Sequence, residues 1–211
     1  MKPKKIAVLG GTGKSGKYLV EELINQGFQC RLLLRNPVIL SNKNANIEII
    51  SGDARMYPAI KKLLDGCDAV VSVLGQPQGE PPVFSTATSH VIAAMRVTGI
   101  TRYIVTTGLN VDTPFDQKNE SVKAATGWMH KNYPKTTADR QIEYDILLKS
   151  ESEWTLVRLP LIELISERKS IKASLENCPG ERIGAADLAH FLVVQLLDDT
   201  YIRQAPFIAN V

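Results

Sequence analysis

The sequence is poor in the residues and runs that disulfides, metal sites and membrane spans require. Its 211 residues include only three cysteines and three histidines. Cys30, Cys67 and Cys178 lie far apart with no C-x-x-C spacing, so we expect no disulfide framework and no metal site. A reducing cytoplasm is the expected compartment. No apolar run approaches the length of a membrane span, and the first ends at Gly10, so we expect neither a secretory signal nor contact with a membrane.

The sequence also lacks an excess of charge of either sign. The 25 basic and 22 acidic residues give a net charge of +3 and are scattered rather than grouped in blocks, which argues against a nucleic-acid partner. A hydrophobic content of 44% is typical of a globular protein, and no repeat or linker divides the chain. We therefore expect one domain over residues 1–211 and a small-molecule ligand. The oligomeric state stays open.

A glycine-rich turn lies near the start of the chain, between an apolar run at 5–9 and a helix with apolar residues on one face. It reads Gly10-Gly11-Thr12-Gly13-Lys14-Ser15-Gly16. Glycines spaced in this way let the backbone turn tightly and approach a pyrophosphate, while the amides of the new helix face the phosphates. A nucleoside-triphosphate P-loop would need glycine at position 8, where Val8 stands. The turn therefore predicts a dinucleotide site.

The end of the next apolar run predicts which dinucleotide binds. An NAD site normally places an acid here to bind the ribose 2′-hydroxyl. This chain has Arg35 at that point and no acid between Gln29 and Asn46. A guanidinium is suited to a 2′-phosphate, which favours NADP, although an arginine at a strand end is often simply solvated.

Apolar strand patterns alternate with helical ones along the rest of the chain. This alternation predicts an α/β fold with a Rossmann-like, doubly wound parallel sheet. Strands are expected at 5–9, 29–35, 47–50, 68–74, 102–107, 154–159 and 205–209, the last as an edge strand because of Pro206. Helices are expected near 58–64 and 85–97, and in two later stretches that carry Ile142, Ile146 and Leu147, and Leu188. Long irregular connections are expected at about 76–82, 109–135 and 161–182, as loops around an acceptor.

Asp53 follows the third predicted strand and has two possible roles. It could accept a hydrogen bond from the adenine amine, or it could cap the helix near 58–64. The residues alone do not separate the two.

Several short motifs occur in an order that resembles a known family. They are Gly10-Gly11-Thr12-Gly13, Leu34-Arg35, Gly52-Asp53, Leu74-Gly75, Val105-Thr106-Thr107, Trp154-Thr155-x-Val157-Arg158-x-Pro160 and Ala186-Asp187-Leu188-Ala189. The set is similar to the atypical short-chain dehydrogenases with an NAD(P)H-binding domain, and in size to the biliverdin-IXβ reductase and flavin reductase proteins. The resemblance implies NADPH and hydride transfer to a flavin, a quinone, a tetrapyrrole-like molecule or another flat acceptor.

The resemblance also implies roles for particular residues. Those assigned to the adenosine phosphates are Thr12, Lys14, Ser15 and Arg35, within the turn bounded by Gly10, Gly13 and Gly16. Asp53 and Ala54 would flank adenine. The central part of the cofactor would lie along Leu74, Gly75 and Gln76, and the nicotinamide beside Thr106 and Thr107.

The sequence departs from short-chain dehydrogenases in its proton-transfer residues. The usual Tyr-x-x-x-Lys motif is missing after the fifth strand, and the pair Tyr57 and Lys61 follows the third strand, so we regard it as a coincidence. Gly108 stands where the flavin reductases carry a serine. A non-catalytic NADP sensor therefore stays open as an alternative to a reductase. A sugar-nucleotide or carbonyl enzyme of the extended short-chain type is less favoured, because it needs the missing pair.

Three residues are candidates for the acceptor side of the site. Thr107 ends a strand and should be held rigidly near the nicotinamide. His130 and Tyr133 lie in the connection at 109–135 and could donate a proton, with Trp128 nearby to stack on a flat acceptor. Trp128, His130 and Tyr133 could each instead anchor the loop or face water, so Thr107 is the stronger candidate.

Overall fold

The computed structural model describes residues 4–37 and 44–211, and its centre is a sheet of eight strands. Their order across the sheet is β3-β2-β1-β4-β5-β6-β10-β8. The strands are β1 (Lys5–Leu9), β2 (Gln29–Leu34), β3 (Ile47–Ser51), β4 (Ala69–Ser72), β5 (Arg102–Gly108), β6 (Glu153–Leu159), β8 (Ile171–Ser174) and β10 (Phe207–Asn210). All pairs are parallel except β8 with β10. The predicted Rossmann-like α/β fold is confirmed.

Six helices join or follow these strands within the described residues. They are α1 (Gly16–Asn25), α2 (Tyr57–Leu64), α3 (Phe84–Thr98), α4 (Glu120–Asn132), α5 (Pro134–Lys149) and α6 (Ala185–Val194). Two short strands, β7 (Leu161–Glu163) and β9 (Arg182–Gly184), pair with each other in a separate parallel sheet. None of the helices in residues 4–37 and 44–211 is long and apolar enough to cross a membrane.

The alternation of side chains along β1 divides the core into two layers. Ile6 and Val8 pack in one cluster with the apolar faces of α1 and α6. Ala7 and Leu9 pack in the other cluster with α2, α3 and α5. Because successive strand residues point to opposite faces, a fully apolar strand is what a sheet covered on both sides requires. From β1 the sheet extends through β2 and β3 on one side and through β4, β5 and β6 on the other. The strand order therefore reverses between β1 and β4, and their carboxyl ends border a crevice there.

The last strand differs from its prediction. β10 lies between β6 and β8, so the expectation of an edge strand there is wrong. Pro206 is tolerated because it precedes the strand, and its carbonyl accepts from the Arg158 amide at 2.8 Å. The edge is formed instead by the antiparallel β8, which arises within the segment 161–182 that was expected to be irregular.

The segment 109–135 also differs, because helix α4 occupies half of it. Asn119 begins this helix by accepting a hydrogen bond from the Val122 amide at 2.9 Å. Only Val122 and Thr126 are buried along it, so its apolar periodicity is too weak to predict a helix.

The buried face of α5 is more polar than predicted. Ile142 was expected on the apolar side of this helix, but it is 51% exposed. The buried residues are Thr137, Arg140, Glu143, Tyr144 and Leu147. Two charged side chains thus lie where the sequence pattern suggested only aliphatic ones.

Candidate active site

The glycine-rich turn packs closely against the end of β4. Gly10 has φ +80°, and a Cβ atom there would lie 2.7 Å from the Val73 carbonyl oxygen. A Cβ atom on Gly16 would lie 2.0 Å from the Gly10 carbonyl oxygen, so the start of α1 also rests on this turn. Both positions require glycine. The positive end of the α1 dipole lies at this turn, which suits a phosphate. Two of the first amides of α1, those of Lys17 and Leu19, donate to the Gly13 and Ser15 carbonyl oxygens at 3.2 and 3.3 Å.

A cleft of about 280 Å³ lies on one side of this turn. Its walls are the ends of β1, β2, β3 and β4. Residues lining it that were predicted to bind the adenosine half are Gly10, Thr12, Gly13, Arg35, Asp53 and Ala54, and those predicted for the central part of the cofactor are Leu74, Gly75 and Gln76. The structure thus brings together most of the cofactor-binding set from four strand ends. Lys14 is exposed and does not line this cleft.

The alternative role for Asp53, as the cap of α2, is wrong. That helix begins after Met56 and has no side-chain cap. Asp53 instead accepts from the Arg55 amide at 2.8 Å and pairs with the Arg55 guanidinium at 3.3 Å. Its position on the cleft leaves the adenine role as the remaining prediction.

Two arginines on this cleft share one carboxylate. Arg35 lies 2.6 Å from Glu80 Oε1, and Arg55 lies 3.0 Å from Glu80 Oε2. The hydrogen bond from Arg35 lowers the pKa of the Glu80 carboxyl and raises the pKa of Arg35. Arg35 therefore stands at the predicted strand end, but with a partner that the sequence did not suggest.

A second, larger cavity of about 600 Å³ lies on the other side of β4. Val73, Leu74 and Gly75 line both spaces, so the two form one groove that passes over the end of β4. Its floor is formed by the ends of β5 and β6, and its far wall by α4. Ser15 at the start of α1 and Thr106 at the end of β5 also line it. A groove of this shape suits an elongated ligand with unlike ends.

Thr107 has a buried hydroxyl in this second cavity. It is 4% exposed, and its Oγ1 atom has no hydrogen-bond partner among the described residues. Gln76 Oε1, on the first cleft, is likewise buried without a partner. Buried polar atoms are almost always paired, so two unpaired ones along one groove fit a ligand with polar groups at both places. The residues present therefore fit a dinucleotide.

Of the three ring-bearing residues predicted near the acceptor, two line the second cavity and one does not. Trp128 and Tyr133 line the cavity and are 58% and 53% exposed. Their rings meet edge to face with centroids 5.6 Å apart. His130 is exposed and does not line the cavity, because it points away from the helix face that carries Trp128 and Met129. The structure thus keeps Thr107 and Tyr133 at this site and does not bring His130 to it.

Arg140 is a site residue that the sequence interpretation missed. Its guanidinium donates to the Thr106 and Leu74 carbonyl oxygens, each at 2.9 Å, and so joins the ends of β5 and β4 beneath the groove. It also pairs with Glu143 at 2.7 Å, and Glu143 accepts from Thr88 at 2.8 Å. The signal was available: Arg140 lies at i+3 from Thr137 and i−7 from Leu147, on the face of α5 that packs on the sheet.

Comparison with known proteins agrees with this geometry. Residues 10–199 match a family described as NAD(P)H-binding. Over 130 residues the chain is 28% identical to isoflavone reductase homolog P3 from Arabidopsis thaliana, covering 57% of this chain and 40% of the relative. The chain spans less than half the length of the curated relatives it matches.

Solved structures with the same fold cover almost the whole chain. A Rossmann-fold NAD(P)-binding family protein from Shigella flexneri has a TM-score of 0.72 and 21% identity, covering 98% of this chain and 93% of its own. A wide-type short-chain dehydrogenase/reductase from Veillonella parvula, in complex with NADP, has a TM-score of 0.76 and 15% identity, covering 99% and 95%. At these identities the likeness establishes the fold alone.

Proposed function

Because the chain belongs to the NAD(P)H-binding family, we propose that it is an NADPH-dependent reductase that transfers hydride to a flat, conjugated acceptor. A flavin, a quinone or a tetrapyrrole-like molecule is the acceptor class. The observation that carries the proposal is the continuous groove, which runs from the glycine-rich turn to an apolar cavity with the unpaired Thr107 hydroxyl at its floor.

The chemistry divides between the cofactor and the chain. When bound, NADPH supplies a hydride, which carries both electrons to the acceptor. The turn at Gly10–Gly16 would hold the phosphates, and Thr107 would orient the nicotinamide or the acceptor by hydrogen bonding. Trp128 and Tyr133 offer aromatic surfaces for a flat molecule. A flavin takes hydride at a ring nitrogen, and its remaining proton exchange can involve water, so positioning is the main contribution of the protein.

A turnover assay tests the reductase proposal. Oxidation of NADPH is followed at steady state with free flavin and with a simple quinone, and binding of NADPH is measured separately. Turnover with either acceptor supports the proposal. Binding without turnover on any member of the acceptor class favours the NADP-sensing alternative, which the missing Tyr-x-x-x-Lys motif keeps open.

We propose a preference for NADPH over NADH, which is supported by Arg35 on the adenosine side of the groove. Loss of a charge-assisted contact to the 2′-phosphate costs on the order of 1.5–3 kcal/mol, or about tenfold or more in affinity. We therefore expect Arg35→Ala to weaken NADPH binding by about tenfold and to leave NADH binding unchanged. Isothermal titration of both cofactors against both proteins measures this. Equal affinities in the parent protein would contradict the assignment.

We also propose that the protein works in the cytoplasm. All three cysteines are buried and unpaired, which suits a reducing compartment. Detection of the protein in fractionated cells tests this.

A further inference from the structure

Glu80 connects three strand ends at the adenosine side of the groove. It lies in the connection between β4 and α3, whereas Arg35 follows β2 and Arg55 follows β3. Each carboxylate oxygen pairs with a different guanidinium, at 2.6 and 3.0 Å. Guanidinium groups bind carboxylate and phosphate oxygens through the same charge-assisted hydrogen bonds, so a phosphate can take the place of this carboxylate.

The Glu80 side chain can turn away from the two arginines while the backbone of its loop keeps its position. The backbone around Glu80 is held by contacts that do not involve its carboxylate: Gln76 Nε2 donates to the Glu80 carbonyl oxygen at 2.8 Å, and Arg55 donates to the Pro81 carbonyl oxygen at 3.0 Å. The Glu80 side chain is 38% exposed and that of Arg35 is 54% exposed. Ion pairs this accessible contribute little, so a better anion can displace the carboxylate.

The charges at this place also favour an exchange of anions. Arg35 and Arg55 face two carboxylates, Glu80 and Asp53, so the unliganded cluster is neutral. A phosphate monoester carries close to two negative charges near pH 7 and has three acceptor oxygens. Entry of such a group beside Glu80 would leave an excess of about two negative charges, and departure of Glu80 would reduce that excess to about one.

We propose that Glu80 occupies the place of the cofactor's 2′-phosphate and competes with it for Arg35 and Arg55. This inference rests on the proposed preference for NADPH. It makes Arg55 a second phosphate-binding residue, and it makes Glu80 the residue that limits discrimination between NADPH and NADH. Arg55 was not singled out by the sequence, because its place beside Arg35 depends on the meeting of two strand ends.

Two adenosine fragments test the proposal without reference to turnover. Adenosine 2′,5′-bisphosphate carries the 2′-phosphate, and adenosine 5′-monophosphate lacks it. In Glu80→Gln we expect the dissociation constant of the bisphosphate to fall by about threefold to tenfold, with that of the monophosphate unchanged. In Arg55→Gln we expect bisphosphate binding to weaken by at least about fivefold, again with no change for the monophosphate. Titration calorimetry measures all four changes.

Glu48 provides the matched control. It also bridges two cations, Lys5 and Arg31, at 2.6 and 2.9 Å, but at the opposite end of the strands. Glu48→Gln should leave the binding of both fragments unchanged. Unchanged or weaker bisphosphate binding in Glu80→Gln, with the parent still preferring the bisphosphate, would overturn the competition. If the parent binds the two fragments equally, the proposed cofactor preference itself is wrong.

Discussion

At the scale of single residues, a substitution at Thr107 should lower turnover without lowering stability. Its buried hydroxyl has no partner in the described structure, so Thr107→Val removes no internal hydrogen bond. We expect the free energy of unfolding to change by less than about 0.5 kcal/mol, because replacing an unpaired buried polar group by a methyl group is neutral or stabilising. Turnover of NADPH with a flavin or quinone should fall by at least about tenfold, because the hydroxyl no longer orients the reacting rings.

Thr155 is the control for this substitution. It is fully buried in the neighbouring strand, and its hydroxyl donates to the Tyr201 carbonyl oxygen at 2.9 Å. Thr155→Val should lower stability by about 1 kcal/mol, because it removes a buried hydrogen bond. Turnover should stay unchanged, because that bond lies far from the groove. Parental turnover in Thr107→Val would remove Thr107 from the reaction.

Individual site residues differ in whether the sequence alone could predict them. Gly10 and Gly16 were identifiable because the spacing of the glycines indicates where the backbone must turn tightly or approach a neighbouring segment closely. Arg35 was identifiable because its place at the end of a strand has a chemical meaning. The pairing of Glu80 with Arg55 was not, because the two are 25 positions apart and meet only where separate strand ends converge. The spacing of residues along the sequence indicates local geometry and does not indicate contacts between residues that are distant in the chain.

At the scale of elements, α5 is joined to the sheet by Arg140, which also forms a buried ion pair with Glu143 on the same helix. Arg140 is 8% and Glu143 is 2% exposed, and Arg140 also holds two carbonyl oxygens. Arg140→Met leaves the Glu143 carboxylate buried without its cation, so we expect a loss of about 3–5 kcal/mol in the free energy of unfolding. Adding Glu143→Gln removes that charge and keeps an acceptor for Thr88, so the double variant should regain about 1–2 kcal/mol. Urea unfolding measures both.

The exposed pair Glu120 and Lys123 on α4 is the comparison. Its members are 92% and 61% exposed, and their charges lie 2.9 Å apart. Lys123→Met should change stability by no more than about 0.5 kcal/mol. An equally mild effect of Arg140→Met would mean that Arg140 does not hold α5 on the sheet, and a double variant no more stable than Arg140→Met would mean that the unpaired Glu143 charge is not the source of the loss.

The elements that the sequence failed to predict share a physical cause. α4 buries only two residues and depends on the Asn119 cap, so its residues show little helical periodicity. β7 and β9 have three residues each and, among the strands of the described residues, pair only with each other. Elements with a large buried face, such as α3 and β5, were located within one or two residues. Prediction therefore followed the amount of apolar surface that each element buries.

At the scale of the whole molecule, the alternation of strands and helices predicted a parallel sheet but not its far edge. The antiparallel β8 reaches that edge because the segment after β7 returns to pair with β10. Phe207 and Ala209 of β10 pack with Leu109, Val122 and Cys178 in a third, small cluster. That cluster joins the acceptor side of the groove to the sheet, so the chain should unfold as one unit.

The three cysteines report on this cooperativity, because each lies in a different cluster. Cys30 belongs to the layer of α1 and α6, Cys67 to the opposite layer, and Cys178 to the third cluster. Burial raises the pKa of Cys30 to about 12 and of Cys67 to about 11, and it also raises the pKa of Cys178. The folded protein should therefore resist iodoacetamide at pH 8, since the thiolate is the reactive form.

A pulse of iodoacetamide at increasing urea concentrations, followed by mass spectrometry of the peptides, gives one midpoint for each thiol. We expect the three midpoints to coincide, because a single cooperative transition exposes every cluster at once. A lower midpoint for Cys178 alone would mean that the third cluster opens while both main layers remain folded. The acceptor cavity would then be lost before the cofactor cleft, and the cooperative unit would be smaller than the sheet that spans the chain.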